Sequence, residues 1–205
     1  MKIIPALLLA LTLPHAARLP GQEAPPAPAT TTTTTTTTAA PAPFIMEFAA
    51  DATEPSWIAV NDGVMGGLST GGARIENNIL HFTGTLSLEN NGGFSSIRTK
   101  TLDQDFSAAT HLVLRVKGDG RDYQLRLATD ARLQGAKVSY RANFATTADT
   151  WINVKIPLAS LSPTYRGTTL QGPPVNLSQI EEIGLLIGDK REGNFALAVD
   201  WIKTE

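Results

Sequence analysis

The chain has 205 residues, a formal net charge of -2 and no cysteine. Disulfides, thiolate metal sites, cysteine nucleophiles and lipidation at a signal-peptide cysteine are therefore excluded. The near-balanced charge offers no steering toward nucleic acid or anionic membranes, so neither is expected as a partner.

After Lys2, IIPALLLALTL forms an apolar run of about eleven residues, well short of the roughly 20 that a membrane-spanning helix requires. Followed by PHAA, it reads as the h-region of an export signal over residues 1–20, cut after Ala16 or Ala17. No transmembrane span is expected in the mature chain. Residues 21–43, GQEAPPAPATTTTTTTTTAAPAP, combine prolines that lack a backbone donor with a threonine run that has no apolar period. Such a segment buries too little surface to offset its ordering entropy and reads as a disordered spacer. Residues 44–205 have the usual size of one domain. The apolar leader and the threonine-proline spacer suggest an exported protein of the bacterial periplasm or cell envelope.

Within that domain apolar residues alternate with a period of two. Leu112, Leu114 and Val116 share one parity; so do Tyr123, Leu125 and Leu127; Val138, Tyr140, Ala142 and Phe144; and Ile152, Val154 and Ile156. Each set predicts a half-buried strand. The clusters ENNGG, KGDGRD, SPTYRG and GDKREGN read as turns, where Gly and Asn adopt positive φ at low cost. The last strand, FALAVDWI, places Phe195, Leu197, Val199 and Trp201 on one parity, which predicts a core strand at the C-terminus. Short strands between such turns predict an all-β antiparallel sandwich or barrel.

The motifs that suggest chemistry lack their structural context. Gly67-Leu68-Ser69-Thr70-Gly71 matches G-x-S-x-G, but turn and strand follow where a nucleophile elbow needs a helix. Gly118-Asp119-Gly120 starts a glycine-rich loop without its third glycine and runs into a strand, so it reads as a hairpin turn. His81 and His111 have no second ligand at metal spacing, and no calcium loop is present, although a calcium held by remote residues such as Glu47 and Asp200 stays open. No catalytic residue, metal site or cofactor is expected. The parity opposite the buried one carries Arg115, Lys117, Gln124, Arg126, Ser139, Arg141, Asn143, Asn153 and Lys155, which reads as one polar sheet face. It is either an ordinary solvated face or a docking surface.

The stretches WIAVNDGVMGGLS, FTGTLSLENNGGFSSIRT, VKGDGRDYQLRL, VSYRANF and IGLLIGDKREGNFALAVDWI, in this order, resemble the complex I intermediate-associated protein 30 family across essentially the whole of residues 44–205. The resemblance implies a galactose-binding-like jelly roll, similar to carbohydrate-binding modules. It implies a non-enzymatic, assembly-factor-like role with a protein partner, since mitochondrial members hold intermediates of NADH:ubiquinone oxidoreductase, and it brings no catalytic residues. The leader departs from that pattern, being apolar and nearly free of arginine where a transit peptide would be amphipathic.

In the opening motif, Asn61-Asp62-Gly63 reads as a turn capped by the acidic side chain, Val64 and Met65 as plugs of the sandwich, and Gly66-Gly67 as a site of close chain passage. Arg98 and Arg121 are within reach of Asp62 or Asp119 in an expected ion-pair network. That network either cross-links loops or, with Trp57, Asn61 and Met65, meets a ligand or partner. A glycan is the alternative ligand, for which Trp57, Trp151 and Tyr165 are the available aromatic platforms. Because residues 1–43 contribute no periodic apolar surface, a chain starting near Ala42 should melt in one cooperative transition at the Tm of the full chain. Loss of that transition in differential scanning calorimetry would make the spacer part of the core.

Overall fold

The computed structural model describes residues 43–49, 56–100 and 102–205. The export signal and nearly all of the spacer expected from sequence lie outside them. The described residues fall within one compact unit, built from thirteen strands and three single turns of 3-10 helix. No described helix is long and apolar enough to cross a membrane.

The strands form two sheets, each paired antiparallel throughout. The first has the order β3 (Thr70–Glu76), β4 (Ile79–Leu86), β13 (Gly193–Thr204), β6 (His111–Lys117), β9 (Trp151–Pro157), with β1 (Ile45–Glu47) also on β13. The second has the order β11 (Thr168–Thr169), β10 (Ser162–Tyr165), β8 (Ala136–Ala145), β7 (Asp122–Leu133), β12 (Ile180–Ile187), β5 (Ser95–Thr99), β2 (Trp57–Asn61). This is an antiparallel β-sandwich, one of the two all-β architectures that the alternation predicted and the one that the family resemblance implied.

Period-two patterning makes each strand two-faced, and the dry faces meet between the sheets. Leu112, Leu114 and Val116 of β6 and Phe82 of β4 oppose Tyr123, Leu125 and Leu127 of β7, all fully buried. Phe82 meets Phe195 at 4.9 Å between ring centroids and Tyr123 at 6.5 Å. Burial of each such side chain contributes about 1.5–3 kcal/mol.

Two expectations change. The SPTYRG cluster is mostly strand: Ser162–Tyr165 pairs with β8 as β10, and only Arg166 and Gly167, at φ of 47° and 83°, make the turn. In β13 the ladder slips between Val199, opposite Val116, and Trp201, opposite Arg115. Asp200 is the extra residue of a β-bulge. Phe195, Leu197 and Val199 point inward as expected, but beyond the bulge the parity reverses, so Ile202 is buried and Trp201 is turned outward. Lys203 Nζ lies 4.9 Å from the centre of the Trp201 ring. Accordingly Ile202→Ala should cost about 2–5 kcal/mol and Trp201→Ala about 1 kcal/mol in urea unfolding; the reverse order would contradict the bulge.

Candidate functional site

The outer face of the second sheet carries a groove of about 720 Å³ between the Val64–Met65 turn and the Arg166–Gly167 turn. Its floor follows from strand register. Ile58, Arg98, Gly184, Arg126 and Arg141 lie side by side on neighbouring strands, and Val60, Ser96, Leu186, Gln124 and Asn143 form the next row; of these, Arg98, Arg126, Val60, Ser96, Leu186 and Gln124 line the groove. Gly184 leaves a gap in the first row: an added Cβ would stand 2.9 Å from the Ile97 carbonyl, between the Cβ atoms of Arg98 and Arg126. The gap opens into a depression of about 150 Å³ bounded also by Lys137, Ser139 and Glu182.

Charge on this floor is unevenly compensated. Lys137 Nζ lies 2.8 Å from Glu182, and Arg98 is 3.8 Å from the same carboxylate. Arg126 has no carboxylate partner among the described residues. Its Nε donates to Gln124 Oε1 at 3.1 Å, and its Nη1 to Ser139 Oγ at 3.3 Å and Thr164 Oγ1 at 3.1 Å. Burial, with the like charges of Arg141 and Arg98, lowers the Arg126 pKa to about 10.

The Asp62 turn explains the glycines around it. Asp62 is fully buried, and its carboxylate accepts N–H bonds from Ser69 at 2.9 Å, Gly93 at 2.6 Å and Phe94 at 3.2 Å. Burial alone would raise its pKa, but the hydrogen bonds from Ser69, Gly93 and Phe94 outweigh it and hold the pKa below the ordinary carboxylate value. A Cβ on Gly67 would stand 2.4 Å from Asp62 Cγ, and one on Gly92 2.6 Å from its Oδ2. Only glycine lets both loops close around the carboxylate. Val64 and Met65, expected as plugs, are instead 74% and 66% exposed; the 3-10 turn Asp62–Met65 lifts them onto the groove rim because Asp62 takes the inward position.

The expected ion-pair network does not form. Asp62 is held by amides, Arg98 reaches Glu182, and Arg121 turns to Asp189. The Arg121 guanidinium grips both Asp189 oxygens, at 3.0 and 2.6 Å, and donates to the carbonyls of Arg191, Gly193 and Asn194. Both side chains are almost wholly buried. Asp119 accepts from the Arg121 N–H, the Tyr123 hydroxyl and the Ala196 N–H. These residues clamp the β6–β7 turn to the β12–β13 loop.

Of the residues singled out from sequence, Met65 and Arg98 line the groove. Asn61 supports it, donating to Gly71 O at 3.1 Å and accepting from Ser95 Oγ at 2.7 Å, which ties β2 to the other sheet. Trp57 is partly buried and packs against the core beside Phe48. Ser69 is not a nucleophile in waiting: its hydroxyl donates to Ser87 O and accepts from Ser87 N. The single polar face expected from parity is two. Arg115, Lys117, Asn153 and Lys155 belong to the first sheet, and Gln124, Arg126, Ser139, Arg141 and Asn143 to the second, because parity does not tell which sheet a strand joins. Asp200 pairs with Arg115 at 3.0 Å, and no cluster of three metal-binding side chains occurs among the described residues. Sequence reasoning missed Gly184, Thr164, Arg166 and Leu186: SPTYRG reads as a turn, and IGLLIG shows no period-two alternation that would mark a sheet face.

Asp62→Ala orphans one buried and two partly buried N–H groups and should cost about 1–3 kcal/mol, Arg98→Ala under about 1 kcal/mol, and the double mutant their sum, since they share no partner. Because the native pKa of Asp62 is depressed, its stabilisation is complete above its unfolded value of 3.8 and is lost as pH falls through the lower native value. Urea unfolding from pH 7 to 3 should show a shallower acid loss in Asp62→Asn than in the parent.

A family model described as Complex I intermediate-associated protein 30 matches residues 46–199. The mitochondrial Complex I intermediate-associated protein 30 of Mus musculus is 28% identical over 181 residues, 77% of this chain and 54% of the mouse protein. The probable counterpart of Caenorhabditis elegans is 27% identical over 124 residues, 58% of this chain and 35% of its own. The chain thus spans about half or less of these relatives. Among solved structures, the family 11 carbohydrate-binding module of the cellulase Lic26A-Cel5E of Clostridium thermocellum aligns with a TM-score of 0.59 at 15% identity, covering 81% of this chain and 95% of the module. A family 11 module from the same organism, in complex with a beta-1,3-1,4-mixed-linked tetrasaccharide, aligns at 0.59 and 14%, covering 81% and 96%. At such identity the likeness shows the fold, a carbohydrate-binding-module type of sandwich. With the family model matching from β1 to within β13, the chain belongs to the complex I intermediate-associated protein 30 family.

Proposed function

We propose that this chain is a non-enzymatic binding module of the assembly-factor type that seats a segment of a protein partner in the groove of its second sheet. The observation that carries this reading is the groove itself: exposed Val64 and Met65 stand on a rigid turn beside a floor of arginines. Methionine and arginine are enriched in protein interfaces, and an exposed apolar rim beside them marks a contact surface. Family membership supports the same reading, since the relatives' names attach them to intermediates of complex I.

In this reading residues 1–20 direct export, residues 21–43 are the spacer, and residues 44–205 do the binding in a bacterial envelope. The relatives are mitochondrial, and the partner of this chain is then an envelope protein rather than a subunit on the matrix side.

The second reading is a glycan-binding domain, favoured by the likeness to carbohydrate-binding modules. Sugar stacking needs an open aromatic face, and here the expected rings are engaged. Trp57 faces the core. Arg115 and Lys117 lie 5.6 and 5.7 Å from the Trp151 ring centre, and Arg166 lies 5.2 Å from that of Tyr165. This weighs toward protein.

A photo-crosslinking residue at position 65, in the native host, should capture one discrete protein species. Val64→Asp should abolish that capture with an unchanged Tm. Glycan-array binding lost in Trp151→Ala but kept in Val64→Asp would establish the sugar reading instead.

A further inference from the structure

The floor of the groove holds a cation that the other described residues leave unneutralised. Arg126 sits between Gly184 and Arg141 in the row, with Arg98 on the far side of the glycine. Its Nε and Nη1 are engaged by neutral oxygens, and its Nη2 has no protein partner among the described residues. The guanidinium of Arg141, beside it, donates only to Thr169 Oγ1 among the described residues. The carboxylate at this end, Glu182, is already taken by Lys137 and Arg98. Holding a guanidinium half-buried between two others is unfavourable in the free protein, and the depressed pKa of Arg126 reflects that cost. A group that lowers the stability of the free protein and faces a groove is explained by what enters the groove.

We propose that Arg126, flanked by Arg98 and Arg141, is the binding site for a carboxylate carried by an acidic side chain of the partner segment. The assignment rests on the protein-partner reading above. A planar guanidinium with a free edge pairs bidentately with a carboxylate. The apolar wall of Val60, Met65 and Leu186 on the same groove asks for an occupant with alkyl groups next to its charge, which an extended peptide has and a neutral glycan lacks. A polyanion such as nucleic acid would need a wide positive field, and this chain has a net charge of -2. The partner segment therefore alternates apolar and acidic residues, its apolar side chains toward Met65 and its carboxylate in the gap above Gly184.

The test uses the full chain labelled with nitrogen-15 at arginine and carbon-13 at methionine methyl groups. The probes are a blocked hexapeptide alternating leucine and glutamate, its leucine–glutamine counterpart, and inorganic phosphate. The glutamate peptide should shift the Arg126 Nε–Hε and Met65 methyl signals saturably, at least tenfold more tightly than the glutamine peptide, and more weakly as salt rises. Arg126→Gln should lower affinity at least tenfold while Tm holds or rises, which a purely structural arginine would not allow; Lys117→Gln, on the opposite sheet, should change neither. Equal affinity for the two peptides, no saturable shift with the glutamate peptide, tighter binding of phosphate, or undiminished binding by Arg126→Gln would each overturn the proposal. Equal Met65 shifts with both peptides would leave the groove reading standing and remove only the carboxylate. An Arg126 response without any crosslink at position 65 in the host would remove the partner reading and keep the site.

Discussion

Three amide protons converge on the carboxylate of Asp62, and the geometry of the groove depends on them. They come from Ser69, at the end of the opening turn, and from Gly93 and Phe94, at the entry to β5. One side chain thereby fastens the edge strand β2 to the loop that leads into its neighbour. Buried charge is tolerated here because hydrogen bonds replace the lost water. The two glycines whose Cβ atoms would collide with the carboxylate are the steric complement of that arrangement. With Asp62 pointing in, the next residues of the turn have to point out, which is how Val64 and Met65 become the rim.

The two outer faces of the sandwich show how similar compositions acquire different chemistry. On the first sheet the charges satisfy one another: Arg115 pairs with Asp200, Lys155 and Lys203 with Glu205, and cations cover both Trp151 and Trp201. Such a face is solvated and self-neutralising, with little net free energy in each exposed pair. On the second sheet Arg126 and Arg141 have only neutral partners among the described residues, and a glycine replaces a side chain between Arg98 and Arg126. The sheet that is less well compensated on its own is the one that carries the groove. If the groove binds as proposed, stability and recognition pull apart there.

The strands were legible because their cause is local. Alternation at 112–116, 123–127 and 138–144 reflects one wet and one dry face, and that pattern survives whichever sheet a strand joins. The turn residues were legible for the same reason: Asn90, Asn91 and Gly93 take positive φ as their side chains allow. The partners of charged residues were not legible. Arg121 could reach several acids in the sequence, and its choice of Asp189 follows from two loops meeting at one end of the sandwich. Asp62 could equally have met an arginine, and only the approach of Gly93 and Phe94 gave its oxygens amides instead.

Local chemistry in the sequence by itself therefore determined an all-β antiparallel fold, the positions of most of its turns and, through the ordered motifs, the family resemblance that implied a sandwich. Tertiary structure alone decided which polar face each strand joined, that the bulge at Asp200 turns Trp201 out and Ile202 in, and that Gly184 opens a gap between Arg98 and Arg126. The physical reason is range. Alternation and backbone preference act over a few residues, whereas register, bulges and the neutralisation of a charge depend on strands far apart in the chain, brought together only when the two dry faces close.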